Sequence, residues 1–145
     1  MQTDWLLLII PVSSYLVAQI VKLAFDGIRG NLDIKHMWSK YGGMPSAHSA
    51  FVVSLTVYIG LREGFASIPF AIAFVFGILA VRDAIGFRKM IGDQAKVLNA
   101  LVASQPVEVR NKQPQLIEEV GHTPLEAFVG SCFGAIIALL AWYFI

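Results

Sequence analysis

The sequence predicts an all-α, polytopic membrane helix bundle of about four transmembrane helices plus a fifth, interfacial helix, given the roughly 20 apolar residues that one span requires. Three observations predict it. Of 145 residues, 57% are hydrophobic and only 14% charged, a balance far more apolar than that of an ordinary soluble domain. The apolar residues gather in long stretches separated by polar ones. Within those stretches small residues recur at spacings that let helices approach closely. No room is left for a separate soluble domain, so residues 1–145 read as one integral membrane domain.

The first stretch, Trp5 to Phe25, has no basic leader and is too long for a signal-peptide core, so it reads as a retained span. Pro11 inside it removes one backbone hydrogen bond and favours a bend. The second and third stretches, Ser46 to Leu61 and Ser67 to Val81, are short for a bilayer. A thinned membrane, or polar helix ends buried among neighbours, would accommodate them. A weaker pattern between Ile91 and Ser104, with Ala95, Val97, Leu98, Leu101 and Val102, predicts the interfacial or partly inserted fifth helix. The last stretch, Pro124 to Ile145, carries Gly130, Gly134 and Ala138, and the third carries Ala73, Gly77 and Ala80. Both stripes read as packing faces.

A formal net charge of +1 and the absence of a basic run argue against nucleic acid as a partner. Cys132 is the only cysteine, which excludes an intrachain disulfide and a cysteine metal cluster. The basic residues are placed asymmetrically: Lys22, Arg29, Lys35, Lys40, Arg82, Arg88, Lys89, Lys96, Arg110 and Lys112 flank or lie within two of the loops, and Arg62 alone lies on the other side. Because Lys and Arg beside spans stay in the cytoplasm, both termini are expected outside and the two longer loops inside.

Four segments could carry chemistry, and that topology brings them to one membrane face. Gly42, Gly43, Met44, Pro45, Ser46, Ala47 and His48 stand at a helix start. Glycine turns, a Ser46 cap and free first-turn amides there would attract an anion such as phosphate, although a plain capped turn explains Ser46 equally well. Thr123 and Glu126 read as a capping box with Pro124 at the first helical position. His122 lies four residues before Glu126, a spacing at which carboxylate and imidazole meet and one ring nitrogen is left nucleophilic. One carboxylate is not expected to do both jobs well. Lys22 shares a helix face with Tyr15 and Gln19, and either snorkels to the headgroups or faces the site. Of the charges after the third span, Arg88 is the better anion clamp, because Arg82 can pair locally with Asp83.

These motifs resemble the type 2 phosphatidic acid phosphatase superfamily. Pro45, Ser46, Ala47 and His48 are similar to its Pro-Ser-Gly-His element, and His122 with Glu126 to its later histidine and downstream acid. The segments Gly-Gly-Met-Pro-Ser-Ala-His-Ser-Ala, Asp83 to Asn99 and Gly-His-Thr-Pro-Leu-Glu together look like its divergent branch, related to acid phosphatases and vanadium-dependent haloperoxidases. Four departures stand out: Ala47 replaces a glycine, Glu126 an aspartate, no Arg-Pro pair exists, and Leu116 stands where an arginine would precede the histidine. Arg88 must then substitute, and Lys22 or Lys40 must supply the lysine.

The resemblance implies a membrane-embedded phosphatase that hydrolyses a lipid or isoprenoid phosphomonoester without metal or other cofactor. His122 would attack phosphorus, Glu126 would orient it, and His48 would protonate the leaving group. Ser46, Gly43, Arg88 and Lys22 would hold the phosphoryl oxygens. The expected partners are that substrate and the membrane lipids, and a homo-oligomer is compatible with such a body. The expected location is a bacterial plasma membrane with the site on the cytoplasmic face, whereas sites of the resembled family typically face away from the cytoplasm. The same residues admit two rivals: a metal-dependent phosphotransferase with Asp83 and Asp93 as magnesium ligands, and a non-catalytic scaffold or transport subunit with a degenerate site.

Overall fold

The computed structural model describes residues 5–27, 43–118 and 120–145. Its helices are α1 Leu6–Gly27, α2 Ala47–Glu63, α3 Ile68–Ile85, α4 Phe87–Ala103, the single turn α5 Val107–Arg110, and α6 Pro124–Phe144. The expected all-α membrane bundle is the observed architecture. The stretches Leu6–Ala24, Ile68–Ala103 and Pro124–Phe144 are each long and apolar enough to cross a bilayer. The sequence candidates Lys40 and Gly42 lie outside the described residues.

The short second span has a physical explanation. With 17 residues, α2 measures about 26 Å against a hydrocarbon core of roughly 30 Å. It is also the central helix, packed against α1, α3 and α6. From Ser49 to Leu61 none of its residues is exposed, and Ser49, Ser54, Thr56 and Tyr58 are buried. A helix surrounded by protein meets little lipid, so it can carry hydroxyls that a lipid-facing helix could not. Two of those hydroxyls find backbone partners: Ser54 donates to Phe51 O at 2.9 Å, and Thr56 lies within hydrogen-bond reach of Val52 O and, across the interface to α3, Ala73 O.

Helix directions follow from the contacts. Ile10 of α1 packs with Tyr58 late in α2 and Ala138 late in α6, whereas Ala18 packs with Ala47 and Ala50 at the start of α2. Hence α1 runs antiparallel to α2, and α2 runs parallel to α6. The α2–α6 seam brings backbone against backbone. A Cβ added at Gly130 would collide with the Ser46 backbone, and one at Gly134 with the Ala50 backbone. The stripe Gly130, Gly134, Ala138 is therefore a packing face, fully buried as expected. Pro11 is buried on α1.

The third and fifth predicted helices are longer than expected. α3 continues through Arg82 and Asp83 to Ile85, closed by Gly86 N–H donating to Arg82 O at 2.8 Å, and α4 begins at Phe87 rather than Ile91. A boundary placed by hydropathy stops at the first charge, but the helix stops only where its hydrogen bonds do. A single straight helix from Ile68 to Ala103, 36 residues, would reach about 54 Å, well beyond the bilayer core. The break at Gly86 lets α4 leave the span. On α4, Phe87, Met90, Ile91, Val97, Leu98 and Leu101 form an exposed apolar face, while Lys89, Asp93 and Lys96 lie on another, the arrangement of an interfacial helix.

A third face of α4 holds the chain that returns to α6. The Asn99 side chain donates to Leu116 O at 2.9 Å and to Glu118 Oε1 at 2.8 Å, and accepts from Leu116 N–H at 3.0 Å. It thus pairs with both backbone polar groups of Leu116, as a residue on a neighbouring antiparallel strand would. Nearer the joint, Gly92 sits against the backbone of Glu118 and Val120, and Gly121, at φ +95°, sits against Arg88 and Lys89. Only a residue without Cβ combines that φ with that approach. Asn99→Ala is expected to speed amide hydrogen exchange at Leu116 about fivefold, since the bond to that amide contributes about 1 kcal/mol. Unchanged exchange would show that other contacts hold the segment.

Candidate active site

Two backbone hydrogen bonds assemble the site before any side chain is considered. Ser46 N–H donates to Glu126 O at 3.2 Å, tying the start of α2 to the start of α6, and His122 N–H donates to Ala84 O at 3.0 Å, tying it to the end of α3. Tyr15 of α1 packs on the same cluster through Ala18, Ala47 and Ala50. Three helix ends and the middle of α1 therefore meet at one end of the bundle, in line with the convergence expected from their order along the chain.

His122 is buried and His48, one residue into α2, is exposed. Their ring centroids lie 6.3 Å apart with planes inclined by 55°, close enough for one phosphoryl group to touch both. His122 Nδ1 is 3.1 Å from Glu126 Oε2. With Glu126 ionised, Nδ1 carries the proton and Nε2 is left as an acceptor.

Thr123 N–H donates to the same Oε2 at 3.2 Å, and Glu126 N–H donates to Thr123 Oγ1 at 3.3 Å, completing the capping box. The expected competition between capping and orienting does not arise. One carboxylate oxygen has lone pairs for both donors, and the cap holds the carboxylate where the imidazole needs it.

Burial pushes the His122 imidazole below its ordinary value of 6.5, Glu126 pulls it back through its hydrogen bond and charge, and the charges of Lys22 and Arg88 lower it further. The balance is downward, so the ring is neutral at neutral pH. Lys22, Arg88 and Asp83 also act electrostatically on His48. The cations expected beside the histidines are therefore near enough to be felt by them.

Arg88 comes to the site for a different reason than its sequence reading supposed. Its Nε donates to Asp83 Oδ2 at 3.1 Å, so Asp83 pairs with Arg88 and not with Arg82. The turn at Gly86 folds residue 88 back toward residue 83, and Arg88 shares a helix face with the packed residues Gly92 and Ala95, whereas Arg82 is exposed. Asp93 is held by Lys96 at 3.4 Å. Among the described residues no group of three or more His, Cys, Asp or Glu side chains converges as a metal site.

Ser46 has a structural task. It is fully buried, its hydroxyl accepts from Ser49 N–H at 3.4 Å and from Ser49 Oγ at 3.1 Å, and its amide serves Glu126. The first-turn amides of Ala47 and His48 have no acceptor within their own helix, as at any helix start. Gly43, at φ +101°, is half-buried where the described chain enters this turn.

The sequence marks Tyr15 only as a neighbour of Lys22 on one helix face. Its ring stands edge-on to His48 at 5.9 Å, and Gln19 Nε2 donates to its hydroxyl at 3.0 Å. The i, i+4 spacing on a polar stripe of α1 was the available signal.

Residues 4–137 match the family described as the Divergent PAP2 family. An uncharacterized membrane protein of Bacillus subtilis (strain 168), YuiD, is similar to this chain, 32% identical over 151 aligned residues that cover 94% of each. No solved structure matches the chain.

Proposed function

Since the chain belongs to the divergent PAP2 family, we propose that it is a membrane-embedded phosphatase that hydrolyses a lipid or isoprenoid phosphomonoester through a phosphohistidine, without metal. The observation that carries this reading is the pairing of an oriented, buried His122 with a second imidazole 6.3 Å away. His122 Nε2 attacks phosphorus as the P–O ester bond breaks, and His48 gives its proton to the departing alkoxide. Glu126 stabilises the imidazolium that forms. Water then gives a proton to His48 and attacks phosphorus, the P–N bond breaks, and inorganic phosphate leaves.

Arg88, Lys22 and the first-turn amides of α2 hold the phosphoryl oxygens while charge redistributes. Ser46 acts through the cap that sets those amides, and Gly43 through the turn before them. The site end of the bundle lies at the headgroup layer, where a lipid phosphate lies. The excess of basic residues at that end supports a site on the cytoplasmic face, here taken to be that of a bacterial plasma membrane.

The test is phosphate release from a panel of lipid and isoprenoid monophosphates by purified protein in detergent with a chelator present, with acid quenching to trap phosphohistidine. Release with the chelator and an acid-labile phosphoenzyme supports the reading. Release abolished by the chelator supports the metal-dependent rival. Phosphate binding without turnover of any substrate supports the scaffold.

The pH profile has a defined sign. His122 must be neutral to attack, and its value lies below 6.5, so the acid limb of kcat/KM should fall below that of an ordinary imidazole. Glu126→Gln removes the contribution that raises His122, so it should move the limb further down while lowering kcat. Folding stability follows the same shift. As pH drops below 6.5 the unfolded chain binds a proton that the folded chain refuses, so stability declines until the folded value is reached. A limb at or above 6.5 would contradict the burial of the nucleophile.

A further inference from the structure

We propose that Asp83 is a positioning residue that keeps the Arg88 guanidinium on the phosphate site and away from the surrounding lipid headgroups. This rests on the phosphatase reading and adds a residue to it. Asp83 stands in the last turn of α3 and Arg88 in the first turn of α4, so their contact spans the Gly86 joint. The carboxylate takes Nε–H. The four N–H groups of the two terminal nitrogens remain, and they are the edge that grips two phosphate oxygens at once. Both side chains are less than half exposed, 38% for Arg88 and 46% for Asp83.

The location supplies the reason for a tether. Arg88 begins an interfacial helix, and an untethered arginine at that depth extends its long stem toward lipid phosphates, which vastly outnumber any substrate. Arg88 also lies on the same face as Gly92, Ala95 and Asn99, which pack against protein, so helix rotation and the Asp83 contact aim the side chain together. As a half-exposed ion pair the contact adds little to stability. Its value is directional.

Simple electrostatics gives the opposite sign, which makes the idea testable. A carboxylate beside an anion site repels the anion, so deleting it should tighten phosphate binding; a tether predicts that deletion weakens it. Asp83→Ala, Asp83→Asn, Arg88→Ala and the Asp83→Ala/Arg88→Ala double variant are compared with wild type in phosphatidylcholine vesicles. Inorganic phosphate is the probe, and its binding is followed by 31P NMR line broadening.

Asp83→Ala is expected to weaken binding roughly tenfold, the loss of one charge-assisted anion contact. Asp83→Asn keeps an acceptor for Nε–H and is expected to bind within about twofold of wild type or tighter, a rescue that a ligand role for the carboxylate charge would not permit. In the Arg88→Ala background Asp83→Ala should add nothing. Tighter or unchanged binding by Asp83→Ala, Asp83→Asn as weak as Asp83→Ala, or an undiminished Asp83→Ala effect without Arg88 would each overturn the proposal. Failure of the phosphatase reading has a separate signature: wild type that turns over no lipid or isoprenoid phosphate, whatever the Asp83 and Arg88 variants do to phosphate binding.

Discussion

His122→Ala should lower phosphate release by on the order of 10⁴-fold or more, the scale seen when a nucleophile is removed from a catalytic unit. The magnitude follows from the role, because without Nε2 no covalent intermediate forms and only the cationic cradle remains to help water attack. His48→Ala should cost less, about 10² to 10⁴-fold, the usual contribution of one general acid. Its deficit should shrink further on an aryl phosphate, whose leaving group departs without a proton. The backbone bond from residue 122 to Ala84 O survives the substitution, so His122→Ala should fold, and a thermal melt in detergent checks that it does. An inactive, folded His122→Ala together with an active wild type is the expected pair of results. A folded His122→Ala that keeps full activity removes the phosphohistidine route.

Gly130→Ala and Gly134→Ala should each destabilise the bundle by about 1–3 kcal/mol, since an added methyl in a close-packed interior must displace what it meets. Here it meets backbone, which cannot swing aside as a side-chain tip can. At Gly134 the obstacle is the Ala50 backbone, whose carbonyl also accepts from Ser14 Oγ at 3.2 Å on the opposite side. At Gly130 it is the Ser46 backbone, the cap of α2.

The two variants should therefore differ in function. Gly130→Ala pushes the start of α2, and with it His48, away from His122, so activity should fall beyond what lost stability explains. Gly134→Ala, one turn deeper, should act chiefly on stability. Gly77→Ala is the control, because its methyl would meet only the Thr56 hydroxyl at 3.3 Å. Thermal melts and turnover of the three variants check this. A Gly130→Ala protein as stable and active as wild type would show that the α2–α6 seam is looser than its geometry indicates.

Much of the bundle could be read from the chain because membrane insertion is a local property. Apolar length and small-residue spacing are set by nearby residues, so Pro124 to Ile145, with its Gly130, Gly134, Ala138 stripe, was legible as a span and as a packing face. The capping box at Thr123 and Glu126 was legible for the same reason, since it depends on residues three apart. Hydropathy could not find the ends of α3 and α4, because backbone hydrogen bonds carry a helix past charges such as Arg82 and Asp83.

By itself the sequence determined an apolar, all-helical body, a nearly neutral charge and two histidine-bearing helix starts placed by chain order at one end. Tertiary structure decided what those residues touch. It made α2 the enclosed centre, gave Asp83 to Arg88, let one oxygen of Glu126 serve both cap and imidazole, and set the two rings 6.3 Å apart. The physical reason is range: insertion and capping act over a few residues of one chain segment, whereas partnership and distance between helices arise only when their surfaces pack.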